Sequence, residues 1–199
     1  MFNKLLLKLI KIKNIILSKI RLSRFNNVGK NVLLLKPCRV VNPKYVSIGD
    51  NVTILNNLRI ECIDKWGQSN YTPNITIGNN CNIEQNVHIT SAGIMQIGKN
   101  VSILANCCVT NINHRYDDVN IAPKYQNLDV HDVIIGDNCF IGMNSCIFPG
   151  TTLGNHVVVG ANSVVKGEFP SYCVIAGVPA RIIKVYKDGK WVRYDYQSK

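Results

Sequence analysis

Four histidines carry the side chain best suited to moving protons near neutral pH: His88, His114, His131 and His156. His88 and His156 fall inside a regular aliphatic rhythm and read most simply as coil-face residues. His131 stands beside Asp132 and reads as a solvated residue or a subunit contact. His114 differs, because it stands where the rhythm stops, in "TNINHRYDDVNIAPKYQNLDVHDVIIGDNCFIG". A histidine base needs a partner to fix its tautomer, and Asp117, Asp118 and Glu84 are candidates between which the sequence does not choose. The eight cysteines offer a second chemistry. They show no CxxC and no paired ligand spacing, so no metal module is expected. Cys107 and Cys108 are adjacent and poorly placed to pair. No signal-peptide cleavage site follows the basic start, so the cysteines read as free thiols in a cytoplasmic protein.

Whatever places these side chains has a period of six. Aliphatic residues recur at Ile48, Ile54, Ile60; Ile77, Ile83, Ile89; Ile97, Ile103, Val109; and Ile135, Ile141, Ile147, Leu153, Val159, Val165. A weaker set, Val28, Leu34, Val40, precedes them. Six fits neither a helix nor one continuous strand, but it fits short strands separated by turns. The step lengthens to eight after Val40, seventeen after Ile60, eight after Ile89 and twenty-six after Val109. Each lengthening follows a group of three, so three hexads make one closed turn and every insertion leaves from the same corner. The expected fold is all-β, a triangular prism of six stacked coils from near Val28 to near Pro170. Glycines following the first aliphatic, as in Ile77-Gly78, are expected to supply positive φ at tight corners. Cys81, Cys107 and Cys139 read as small inward fillers.

The net charge of +11 is local: residues 1–49 hold eleven Lys/Arg and no Asp or Glu, and the remainder sums to zero. No nucleic-acid recognition motif accompanies it, so a nucleic-acid partner is not expected. Residues 1–27 form a separate basic segment. On a helical wheel Leu5, Leu6, Leu9, Ile12, Ile16, Leu17 and Ile20 share one face and Lys4, Lys8, Lys11 and Lys19 the other, with Lys13 out of pattern. The segment carries too much charge to span a bilayer. It suits either packing on the protein's own body or a neighbouring subunit, or lying on an anionic membrane through residues 1–24. The prism covers 28–178, with the irregular loop 110–134 as one wall of a site. Residues 179–199 form an extension whose Asp188-Gly189 signals a hairpin. In the insert "ECIDKWGQSNYTP", Trp66 and Tyr71 suit either sugar stacking or packing on the coil.

Residues 134–184, with the ordered set "NHRYDD … IGDNCFIG … GANSVV … AGVPAR", resemble the bacterial hexapeptide-repeat acyltransferases, in the branch of the maltose, galactoside, lipopolysaccharide and capsule O-acetyltransferases. The resemblance covers roughly residues 48–184. It implies a left-handed parallel β-helix, a homotrimer, acetyl-CoA as donor and a sugar hydroxyl as acceptor. It places the general base at His114 and acceptor contacts at Glu84, with Asn86 as a neighbouring alternative. Phe140 stands where relatives often carry Trp, keeping an aromatic wall without the indole N–H. It assigns the donor thioester to the backbone near Gly142 and Met143, the pantetheine groove to Ala161 and its neighbours in "GANSVV", the phosphates to Arg181 and Lys184, and counts Lys166 among the coenzyme contacts. N-acetylation of an amino sugar, or acetylation of serine or a xenobiotic, is the nearest alternative. A γ-type carbonic anhydrase would need a second histidine five residues after His114, where Val119 stands. A non-catalytic scaffold would have no use for these motifs.

Overall fold

The computed structural model describes residues 2–195. Short strands lie on three faces, and all pairing between successive coils is parallel. On the first face Val28, Ile48, Ile77, Ile97, Ile135, Leu153 and Phe169 stack in register. On the second the column runs Leu34, Ile54, Ile83, Ile103, Ile141, Val159, Ile175. On the third it runs Val40, Ile60, Ile89, Val109, Ile147, Val165. Nearly all of these side chains are buried, and together they form one continuous core. Each coil shields its neighbours at the strand spacing of about 4.8 Å, so no coil is stable by itself.

The stack holds six complete coils and an incomplete seventh, whose strands Glu168–Phe169 and Cys173–Gly177 continue the first and second faces. A strict count of hexads misses it because the step from Val165 to Phe169 shrinks to four. Gly167, at φ 109°, cuts that corner short.

The glycines do a different job from the one expected. At the coil corners positive φ belongs to asparagines, among them Asn51, Asn80, Asn100, Asn106 and Asn144. Their side-chain amides bond from coil to coil, as in Asn80 to Asn100 at 3.1 Å and Asn106 to Asn144 at 3.0 Å. Gly78 has no positive φ. It is glycine because a Cβ there would lie 2.6 Å from the Gly98 carbonyl carbon of the next coil. Cys81, Cys107 and Cys139 are buried, and each thiol donates to a carbonyl one coil on: Gly98, Gly142 and Gly154, at 3.0–3.1 Å.

Both ends of the stack are covered. At the start, α1 (Phe2–Leu22) closes the free edge of the second face. The Ser18 hydroxyl accepts the Leu34 N–H at 2.8 Å, and Arg21 donates to the Leu34 carbonyl at 3.1 Å. Leu22 and Phe25 are buried beside them. An open strand edge would otherwise invite pairing with other chains. The side of α1 that packs is therefore its Ser18–Leu22 side, while Leu6, Leu9, Ile12, Ile16 and Ile20 stay exposed. The side chains of Lys4 and Leu5 lie outside the described residues. At the far end Ala180–Lys187 pairs antiparallel with Cys173–Gly177 and then with Lys190–Arg193. Asp188 and Gly189, both at positive φ, make the two-residue turn between the last two strands. Residues 196–199 of the extension lie outside the described residues.

Candidate active site

Every insertion leaves between the third face and the first face of the next coil, which is the third corner. The longest, after Val109, forms an antiparallel pair, Ile112–His114 with Leu128–Val130. Buried Asn111 anchors its root, accepting the Ala92 N–H at 3.0 Å and donating to the Ile94 carbonyl at 3.2 Å. Gln126 ties the tip through Asp118 and Ile121. The insert after Ile60 supports this hairpin from the side. The Trp66 indole donates to the Gln126 carbonyl at 3.1 Å, and the Tyr71 hydroxyl accepts the Leu128 N–H at 2.9 Å. The Trp66 ring sits edge-on to the His114 imidazole, 5.0 Å between centroids. Both aromatics are thus committed to the hairpin.

His114 is exposed and lines a cavity of about 650 Å³ with Arg115, Tyr116, Asp129 and Lys166, among others. None of the three candidate orienters reaches its ring among the described residues. Asp117 pairs with Arg115 at 2.7 Å, Asp118 caps the Asn120 N–H, and Glu84 accepts the Ala105 N–H at 3.1 Å.

The residues assigned to donor and acceptor gather elsewhere, along the second corner, between the second and third faces. Glu84 stands there on the third coil, Gly142 and Met143 on the fifth and Ala161 on the sixth, with Phe140 exposed on the adjoining face. Arg181 pairs with Ala176 at the upper end of this column, and Lys184 with Val174 on the second face. Asn86 is at this corner too, but its amide is committed to the ladder, accepting from Asn57 and donating to Asn106. Lys166 departs from the expected grouping, because it follows the third-face strand Val164–Val165 and lines the His114 cavity instead. Gly142 is no free donor, since its N–H bonds the Val159 carbonyl at 2.9 Å. The N–H groups of Met143 and Ala161 have no partner among the described residues. The cause is local: a coil-corner N–H is capped by a side chain of a neighbouring coil, and Met143 stands between Ala105 and Ala161, whose side chains have no acceptor. Two aligned backbone donors with cations beyond them suit a polar chain ending in phosphates, so this corner fits coenzyme A.

Two further networks are structural in geometry. On the third face buried Glu61 is held by Arg39 and by Arg59 at 2.7 Å, with His88 at 3.6 Å. Burial works to raise the Glu61 carboxyl, but the hydrogen bonds from Arg59 and Arg39 outweigh it and hold it below its ordinary range. Burial, helped by the Arg59 charge, pulls His88 below its ordinary value. At the far end His156 stacks on Tyr172, Tyr186 is tilted against Tyr172, and Trp191 sits edge-on to Tyr186. His131 pairs with Asp129 at 3.0 Å. Among the described residues no group of three His, Cys, Asp or Glu is placed to hold a metal ion.

The profile of the hexapeptide repeat of succinyl-transferase matches residues 132–166. A relative named for lipopolysaccharide biosynthesis O-acetyl transfer (WbbJ, Escherichia coli K12) is 38% identical over 157 residues, 75% of this chain and 76% of that one. The chain is a hexapeptide-repeat acyltransferase. As such it is an acetyl-CoA-dependent enzyme, and its coil has the left-handed sense of that fold. The galactoside O-acetyltransferase of Escherichia coli K12 is 34% identical over 59% of this chain and 57% of its own. A variant of AntD, an N-acyltransferase from Bacillus cereus solved with dTDP and coenzyme A, superposes with a TM-score of 0.70. It is 28% identical and covers 85% of this chain and 88% of its own.

Sequence reasoning missed two features. Trp66 was readable as an aromatic for sugar stacking or for packing on the coil, but not as the support of the hairpin, because that contact spans sixty residues. The open N–H of Met143 had a signal: alanine at 161, where the same coil carries the capping Asn155 at its first corner.

Proposed function

We propose that this acyltransferase moves an acetyl group from acetyl-CoA to a sugar hydroxyl in surface polysaccharide or lipopolysaccharide assembly, with His114 as general base. The observation that carries the reading is the separation of two half-sites. His114 stands on the third-corner hairpin, and the open N–H pair stands at the second corner, across the third face. One chain does not bring them together, so the site is completed between subunits of a homotrimer. The exposed hairpin tip, with Tyr116, Val119, Ile121 and Tyr125, supplies apolar surface for such a neighbour. The donor brings an activated thioester carbonyl. His114 takes the acceptor hydroxyl proton and returns it to the departing sulfur. The Met143 N–H meets the charge that develops on the carbonyl oxygen, Ala161 holds the chain beneath it, and Arg181 and Lys184 hold phosphates. Phe140 and Glu84 face the acceptor. The reading places the enzyme in the cytoplasm, working on precursors at the inner face of the membrane through its basic segment.

Acetyl-CoA turnover against a panel of sugars tests it. His114→Ala should lower kcat by about 10²–10⁴-fold with an intact oligomer. Full turnover in that variant removes His114 from the role of base. A second reading, acylation of a nucleotide-linked amino sugar, is favoured by the likeness to AntD, another variant of which was solved with dTDP-4-amino-4,6-dideoxyglucose and coenzyme A. Faster transfer to amino sugars than to their hydroxyl counterparts would replace the first reading.

A further inference from the structure

Between α1 and the first coil lies a groove of about 780 Å³, well away from His114. Its floor is apolar, with Ile15, Leu22, Val28, Val32 and Leu33. Its rim carries Lys11, Lys19 and Lys30. Lys11, Ile15 and Lys19 are spaced i, i+4, i+8 and so share one side of the helix. No carboxylate lines the groove among the described residues, and Asp50 beside it accepts the Lys30 N–H at 2.6 Å. On the side of α1 turned away from the prism, Leu9, Ile16 and Ile20 are 55%, 54% and 62% exposed. Among the described residues no helix is long and apolar enough to cross a membrane.

We propose that α1 and the first coil form a site for an anionic phospholipid of a bilayer surface, with an acyl chain in the groove, the phosphate among Lys11, Lys19 and Lys30, and the Leu9–Ile16–Ile20 row in the interface. Charge selects this occupant over a second copy of the chain. Residues 1–49 carry eleven cations and no carboxylate, so two such segments repel, whereas an anionic leaflet attracts them. The apolar row adds the burial that basic residues alone do not give. This site rests on the reading that the enzyme works at the membrane through its basic segment, but it makes no use of His114 or the second corner, so its failure leaves acetyl transfer itself standing.

The test is flotation of the full chain with phosphatidylcholine vesicles, with and without phosphatidylglycerol. Alongside it, oligomer mass and acetyl-CoA turnover are measured on the same preparations. Binding should require phosphatidylglycerol and weaken with salt. Lys11→Gln/Lys19→Gln/Lys30→Gln should weaken it on the order of a hundredfold. Ile15→Trp, which fills the groove without changing charge, should weaken it about tenfold, the worth of roughly two buried methylenes. Turnover should be unchanged in both. Failure of the intact oligomer to bind the anionic vesicles overturns the proposal. So does binding by both variants at the level of the unmodified chain. Disassembly of the oligomer in Leu9→Ser/Ile16→Ser would assign the row to a neighbouring copy and overturn it as well.

Discussion

The first and second corners are the same backbone turn built twice, and they end differently. Along the first corner the N–H groups of Lys30, Asp50, Lys99, Asp137 and Asn155 are each capped from the next coil, by Asp50, Asn79, Asp137, Asn155 and Ser171 in turn. Along the upper second corner the matching residues are Met143 and Ala161, and no cap forms. Among the described residues the first corner closes its N–H groups with side chains except at Asn79, which lies under Lys99. The second corner does so at Lys36 and Ala105 and leaves Met143 and Ala161 facing outward, held by the same asparagine ladder. On the proposed reading, the donor groove of this chain arises from the omission of a cap at Met143 and Ala161.

The comparison can be broken by making the second corner resemble the first. Ala161→Asn should place an acceptor over the Met143 N–H. Loss of that donor should lower kcat by about 10²–10³-fold while thermal stability holds or rises. Normal turnover in a folded Ala161→Asn enzyme would leave the open corner without a catalytic role. A smaller effect is expected at the third corner. Trp66→Ala removes the ring beside His114 and the bond to Gln126. It should reduce kcat about tenfold and leave KM for acetyl-CoA unchanged, because only the base loses its placement. Opening the first corner is milder still. Asn155→Ala should cost about 1 kcal/mol in denaturant unfolding, with turnover unaltered.

The third face supplies a pH test unrelated to either corner. Folded His88 and Glu61 both titrate below their ordinary values. The unfolded chain therefore binds more protons at acid pH, and stability falls as pH falls. Loss should begin below about 6.5, the ordinary histidine value, and deepen below the ordinary carboxylate range. A melting temperature flat from neutrality down to that range would mean that His88 contributes nothing, and one that stays flat below it would remove the Arg39–Arg59–Glu61 pairs as well.

The sequence and the structure agree where contacts repeat. The aliphatic beat gives every coil-to-coil pairing from Val28 to Val165, because a six-residue step leaves little freedom in register. The shared corner of the insertions follows from the same counting. Agreement ends where contacts are single and distant. Nothing local tells Trp66 that it will meet His114, or Lys166 that it will line the same cavity. The glycines show a subtler limit. Their positions were readable, but a tight turn and a close approach by the next coil leave the same mark in sequence, and only the backbone conformation separates them. Likewise the wheel shows that α1 has an apolar face without showing that Ser18 and Arg21, rather than that face, dock on the prism.

The central claim is that His114 of one subunit works on a donor held at the second corner of another. Two inactive variants, His114→Ala and Ala161→Asn, can be refolded together as mixed trimers. If the half-sites belong to different subunits, equal mixing restores about a quarter of the unmodified activity, since a site is whole when each half comes from the variant in which it is intact. If each chain carries a complete site, confirmed mixed trimers remain inactive, and the account is contradicted.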